Sequence, residues 1–158
     1  MEGDQVAKIL GANPVTKKNF RGCSPSDGLP SPSSLNYPAA FVVNLDPHNR
    51  KGSHWISIFA YGLNREVLYF DSLALPINEN INEQFLKAFP KTIWNSQSYQ
   101  SPFSDTCAHY CICFIYYISH GSTYDQFLKL LDSKYDTDLF VREIVNKITK
   151  NVHFLMTI

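Results

Sequence analysis

Apolar positions fall into short continuous runs in the first half of the chain and into sets spaced by three and four in the second. Residues 39–45 form one such run, the pattern of a buried strand. Stretches 54–61 and 66–70 carry β-rich residues on either side of Gly62-Leu63-Asn64-Arg65, which predicts a hairpin. Residues 92–95 and 98–100 read as extended, and Asp46-Pro47-His48-Asn49 reads as a turn. Between residues 13 and 38, prolines and serines interrupt any periodicity, so a long irregular loop is expected there.

The helical patterns carry their own punctuation. A short helix is expected over residues 4–10, with Asp4 as N-cap and Gly11 as its stop. Asn78 can cap a helix over 79–89 whose Ile81, Phe85, Leu86 and Phe89 share one side. Asp105 or Thr106 caps the next, which runs through Cys107 to about His120, is apolar nearly all round as a central buried helix is, and ends at Gly121. Thr123 with Gln126 makes a capping box for residues 124–131, and Thr137 can cap a last helix to about Lys150 with Leu139, Phe140, Ile144 and Ile148 inward. Strands followed by helices predict an α+β fold, a small mixed or antiparallel sheet packed against helices with the Cys107 helix as its spine.

At 158 residues the chain is the size of one domain, 1–158, able to bury a core without disulfides or a metal. A hydrophobic fraction of 44% against 18% charged excludes global disorder. Basic and acidic side chains balance at 14 each, so no strongly basic face points to nucleic acid or to an anionic membrane. The longest apolar run, 111–118, is far short of the roughly 20 residues a membrane span needs. Residues 1–10 lack the basic and apolar blocks of a signal peptide, so the expectation is a soluble protein that is neither secreted nor membrane-bound.

Three of the four cysteines, Cys107, Cys111 and Cys113, crowd into one stretch, a poor disulfide framework that turns attention to catalysis or metal binding. With His109 and His120 they could suggest a metal cluster, but on a helix Cys107, Cys111 and His120 do not converge with Cys113, and no paired C-x-x-C motif is present, so no metal site is expected. Cys107 falls in the first turn of its helix, where free N–H groups and the dipole favour a thiolate. Cys111 and Cys113 lie deeper and read as inert core thiols, and Cys23 as a lone loop cysteine.

The hairpin supplies a partner for that thiol. If Tyr61 pairs with Glu66, the register sets His54 opposite Leu73 and diagonal to Asp71, on one face. Such a diagonal is about 7–8 Å at the backbone, which the two side chains can close to a hydrogen bond. An imidazole oriented by a carboxylate is the general-base half of a catalytic triad. Gln100, on the preceding loop, offers an amide that could bind an oxyanion together with the backbone N–H of Cys107. His48 and His153 read as solvated, His109 as core or surface, and Tyr116 and Tyr117 with Phe114 as packing.

Spacing sharpens this set. The segments Gly52-Ser53-His54-Trp55, Tyr69-Phe70-Asp71-Ser72 and Gln100-Ser101-Pro102-Phe103-Ser104-Asp105-Thr106-Cys107-Ala108-His109-Tyr110-Cys111 resemble the adenovirus endopeptidase (adenain) family over about residues 39–121. The resemblance implies a papain-like or ubiquitin-like-protease type core with a central nucleophile helix. It also implies His54 as base, Asp71 as its orienter, Gln100 as oxyanion donor and Cys107 as nucleophile. Trp55 would then wall a narrow groove for small residues, where the residue type alone fits ordinary core equally well.

Two departures from the family pattern are Ala108, where the family usually has Gly, and Asp71, where it commonly has Glu. Proteases that remove ubiquitin-like modifiers use Asp at that place. The family's activating peptide is joined through a cysteine that has no counterpart between Cys23 and Cys107, and its DNA activator suits a more basic chain, so neither partner is well supported here. The expected function is a cofactor-free, monomeric cysteine endopeptidase, from a DNA virus or virus-like element, that cuts precursor polypeptides after small residues such as Gly during virion maturation. It would act in the virion and in the nucleus or cytoplasm of the infected cell. The alternatives are a protease that deconjugates ubiquitin or a ubiquitin-like modifier from host proteins, and a catalytically silent binding or structural homologue.

Overall fold

The computed structural model describes residues 1–46, 54–102 and 104–157, the last stretch from 151 in backbone only. The predicted turn beyond Asp46, with His48, lies outside the described residues, as do Gly52, Ser53, Phe103 and the side chain of His153.

Five strands form one mixed sheet in sequential order: β1 (Phe20–Pro25), β2 (Ala39–Asn44), β3 (Trp55–Ala60), β4 (Val67–Phe70) and β5 (Thr92–Trp94). The β2–β3 and β3–β4 pairs are antiparallel, and the β1–β2 and β4–β5 pairs are parallel. The hairpin adopts the register expected from its sequence, with Ala60 opposite Val67 and Ser57 opposite Phe70. Its ladder stops at Ser57 and Phe70, so His54 and Asp71 sit where the two chains leave the sheet.

Alternation along the strands divides the core in two. Ala40, Val42, Phe59, Leu68 and Phe70 face the helices of one layer, while Phe41, Val43, Ile58, Val67 and Tyr69 face the other. The first layer contains α1 (Gly3–Ala12), α3 (Cys107–Ser119), α4 (Tyr124–Asp132) and α5 (Thr137–Thr157). The second is built around α2 (Glu79–Gln84), on the crossover that makes β4 and β5 parallel. Nine of the thirteen α3 residues are buried, because the helix packs on the sheet and beneath α1, α4 and α5. Phe70 of β4 stacks on Phe114 of α3 at 5.3 Å with ring planes 8° apart, which locks the spine to the sheet. Among the described residues, no helix is long and apolar enough to cross a membrane.

Several local expectations are corrected. The stretch between 13 and 38 is not wholly irregular, since β1 lies in it as an edge strand paired to β2. Its residues are only partly buried, so no apolar run marks it. The first helix runs through Gly11 to Ala12 with Glu2 as N-cap rather than Asp4. The helix expected over 79–89 breaks at Phe85 into α2 and a 3-10 turn at Leu86–Ala88. Residues 98–100 add no strand, because Tyr99 and Gln100 both donate their N–H groups to the Ser72 carbonyl. The capping box of α4 is as expected, but α5 is capped by Asp136, whose carboxylate accepts the Leu139 N–H at 3.0 Å. Thr137 instead turns its hydroxyl to the Tyr99 carbonyl, because the strand-end loop packs against this turn.

Candidate active site

Four chain segments meet at one end of the sheet. The N-terminus of α3 brings Cys107, the start of β3 brings His54 and Trp55, the exit of β4 brings Asp71, and the loop before α3 brings Gln100. A cleft of about 380 Å³ lies over them, lined in part by His54, Trp55, Gln100 and Cys107. His54 and Cys107 are each 8% exposed and Asp71 only 1%, so thiol and imidazole meet the cleft while the carboxylate stands behind them.

The Asp71 carboxylate is held on several sides. Its Oδ1 accepts His54 Nε2–H at 2.6 Å and the Leu73 N–H at 2.8 Å, and its Oδ2 accepts the Leu75 N–H at 3.2 Å. The turn that presents these amides puts Ala74 at φ +52°, a left-handed backbone that a side chain disfavours and that functional sites tolerate. Behind Asp71, Asn95 bonds both its N–H, at 3.0 Å, and its C=O, at 2.6 Å, extending the β4–β5 pairing by one side-chain rung.

With Nε2 engaged by Asp71, the remaining ring nitrogen of His54 is the one that bonds Cys107. Burial disfavours the charged form of both groups, yet the pair overcomes it. Against that burial, hydrogen bonds and charge from Asp71 and Cys107 lift His54 to about 9. Cys107 is held below the ordinary 9.0 of a thiol by the bond and charge of His54 and by the N–H groups of Trp55 and Ala108. Each group thus favours the charged form of the other, a thiolate beside an imidazolium. Burial pushes Cys111 and Cys113 upward, leaving them as protonated core thiols, and it raises Cys23 to about 11.

Gln100 is oriented rather than merely present. Its Oε1 accepts the Ser72 hydroxyl at 2.6 Å, so its amide nitrogen must point the other way, where it donates to the Ser104 carbonyl at 2.8 Å. One N–H remains beyond that bond. Cys107 is the first residue of α3, so its backbone N–H has no partner within the helix. Trp55 is half-buried, its indole under Gly3, where an added Cβ would come within 3.1 Å.

Four of the five residues singled out from the sequence thus line one cleft, and the fifth, Asp71, stands behind His54. Asn95, Ser72 and the Asp138 side chain that braces the Gln100 loop were not anticipated, since each acts through contacts 24 to 37 residues apart in sequence. The hydrophilic turn Asp71-Ser72 was the one available signal. A second hollow of about 420 Å³, near Tyr61, Trp94 and Asp125, contains neither thiol nor imidazole. Among the described residues, no three His, Cys, Asp or Glu side chains converge as metal ligands.

In fold the chain is similar to Ulp1-like proteases, and its thiol, imidazole and carboxylate stand in one row. No family model and no curated protein matches the sequence. Among solved structures, it is similar to the ASFV pS273R protease, with a TM-score of 0.58 and 16% identity over 89% of this chain and 65% of that one. It is also similar to the SUMO protease Ulp1, in a structure whose catalytic cysteine is oxidised to a sulfinic acid, with a TM-score of 0.55 and 14% identity over 96% of this chain and 78% of that one. The chain thus spans a little less than two thirds of the length of the ASFV protease.

Proposed function

We propose that this protein is a cysteine endopeptidase that cuts polypeptides after small residues such as Gly. The observation that carries the reading is the row of the Cys107 thiol, the His54 imidazole and the Asp71 carboxylate at a cleft, with the thiol and imidazole shifted toward their charged forms. The Cys107 thiolate attacks the scissile carbonyl carbon, and the carbonyl π electrons move onto oxygen. That oxyanion is met by the free N–H of Gln100 and the backbone N–H of Cys107, an arrangement worth roughly 10²–10³ in rate per donor. Collapse expels the amine, which takes its proton from His54, and leaves a thioester on Cys107. Water, deprotonated by His54, then attacks the thioester, releasing the acid and restoring the thiolate.

In this reading Trp55 walls the cleft against large side chains, and the substrates are viral precursor proteins cut during virion maturation in the infected cell, by a single-domain monomer. The likeness to a viral protease supports that context. The likeness to Ulp1 over nearly the whole chain favours a second reading, removal of a ubiquitin-like modifier, with the same chemistry.

The test is alkylation by iodoacetamide at neutral pH, read by peptide mapping, followed by hydrolysis of an internal-Gly peptide and of a modifier fused to a reporter through Gly-Gly. Fast labelling at Cys107 alone, slowed in His54→Ala, is expected, with turnover of the internal-Gly peptide. Turnover of the modifier fusion alone selects the second reading, and slow labelling spread over all four cysteines refutes the activated thiol.

A further inference from the structure

The oxyanion site depends on a spacing that neither of its donors sets. Gln100, held by Ser72, and Cys107, in α3, stand on either side of residues 101–106, so the separation of their N–H groups depends on how the two sides are tied to each other. One carboxylate ties both ends together. Asp138, in the first turn of α5, accepts the Ser101 N–H at 3.3 Å with Oδ2, and the Thr106 hydroxyl at 3.1 Å and the Tyr110 hydroxyl at 2.8 Å with Oδ1. Ser101 follows Gln100 directly, Thr106 precedes Cys107 directly, and Tyr110 lies one turn further into α3. Ser104, whose carbonyl holds the Gln100 amide, is coupled to the same group through the Thr106 hydroxyl at 2.6 Å.

We propose that Asp138 is the positioning residue of the oxyanion site, fixing the separation of the Gln100 amide from the Cys107 backbone N–H from outside the cleft. This rests on the thiol protease reading above. Asp138 touches neither the thiol, the imidazole nor the Asp71 carboxylate in any hydrogen bond, so it governs the oxyanion donors and leaves the ion pair alone. Its place in the first turn of α5 favours a carboxylate, because the unpaired N–H groups there carry partial positive charge.

Two probes separate the two halves of the site. A peptide aldehyde ending in glycinal adds the Cys107 sulfur to its carbonyl carbon, and the carbonyl oxygen of the resulting hemithioacetal occupies the oxyanion site. Iodoacetamide reacts with the thiolate by displacement of iodide and develops no oxyanion. In Asp138→Ala, aldehyde inhibition weakens and kcat falls by about 10- to 100-fold, the scale of an ångström of misplacement. KM stays within about threefold, and the rate and pH profile of Cys107 alkylation are unchanged. Asp138→Asn keeps an oxygen for Thr106 and Tyr110 but loses the Ser101 bond, so it falls between the two. Tyr110→Phe removes one donor while keeping the ring in the core, and it shows a smaller loss in the same readouts even if the alanine variant fails to fold.

Unchanged aldehyde affinity and kcat in these variants overturns the proposal. So does a parallel fall in alkylation, which would mean that Asp138 merely supports the fold. A parent protein whose Cys107 does not alkylate instead sinks the protease reading, and the proposal with it, before any variant is made.

Discussion

Replacing Asn95 by Ala removes a side chain that is 4% exposed and makes four hydrogen bonds, two of them to the backbone of Asp71. Tyr124 keeps a partner, since its hydroxyl donates to the Tyr69 carbonyl at 2.8 Å, and the exposed Gln97 can turn to water. The Asp71 C=O keeps the Ala74 N–H at 2.9 Å, but the Asp71 N–H cannot turn to water, because that residue is 1% exposed. One orphaned buried backbone group costs about 1–3 kcal/mol, from a total typically of about 5–15 kcal/mol. For a domain of this length each kcal/mol lowers Tm by about 2–4 °C, which places the expected drop near 6 °C. Calorimetry reads that figure. Peptide hydrolysis at 15 °C, where most molecules remain folded, reads the functional half: Asp71 released from its rung orients His54 less well, and kcat falls about 10- to 100-fold. Asn95→Asp, isosteric but with an acceptor facing the Asp71 carbonyl, is expected to be no better. A Tm within 1 °C of the parent with kcat unchanged would refute the claim that Asn95 holds Asp71 in place behind His54.

The pH dependence follows from the two opposite shifts. Cys107 alkylation should stay on its plateau until pH falls through the lowered thiol value, below 9.0, and His54→Ala should move that limb upward, towards 9.0 or beyond. Peptide hydrolysis should decline as pH rises through about 9, where the imidazolium that protonates the leaving amine is lost, while alkylation does not decline there; coincident upper limbs would count against the ion pair. Gly121, at φ +97° with nothing near its Cβ position, should cost about 1–2 kcal/mol as Ala through backbone strain alone, measurable as a small Tm drop with kcat untouched.

The hairpin shows how far local pattern reaches. Turn chemistry at residues 62–65 and β-rich arms are sufficient to fix register, and register alone brings His54 within reach of Asp71, observed at 2.6 Å. The α3 boundaries fall where a run of apolar residues and Gly121 predict them, although Thr106 at the N-cap position turns its hydroxyl to Asp138 and makes no capping bond. Strand β1 was not legible, because an edge strand exposes much of its surface and needs no apolar run; only its pairing with β2 makes it a strand. The break of the 79–89 helix at Phe85 likewise answers to the sheet, on which Phe85 packs edge-on against Phe41.

The sequence by itself determined the chemistry on offer: which thiol stands at a helix N-terminus, which imidazole shares a face with a carboxylate, and which amide precedes that thiol. Those relations live within one hairpin or one helix turn, where backbone geometry fixes the separation. Only the tertiary structure decided what makes that chemistry usable. Asn95 on Asp71, Ser72 on Gln100 and Asp138 across the 101–106 loop are polar side chains that would suit solvent equally well. Asn95 and Ser72 become supports because packing of the sheet against the helices removes water from their surroundings, where an unmet hydrogen bond costs more than an exchanged one, and Asp138 because the fold sets α5 beside both ends of its loop.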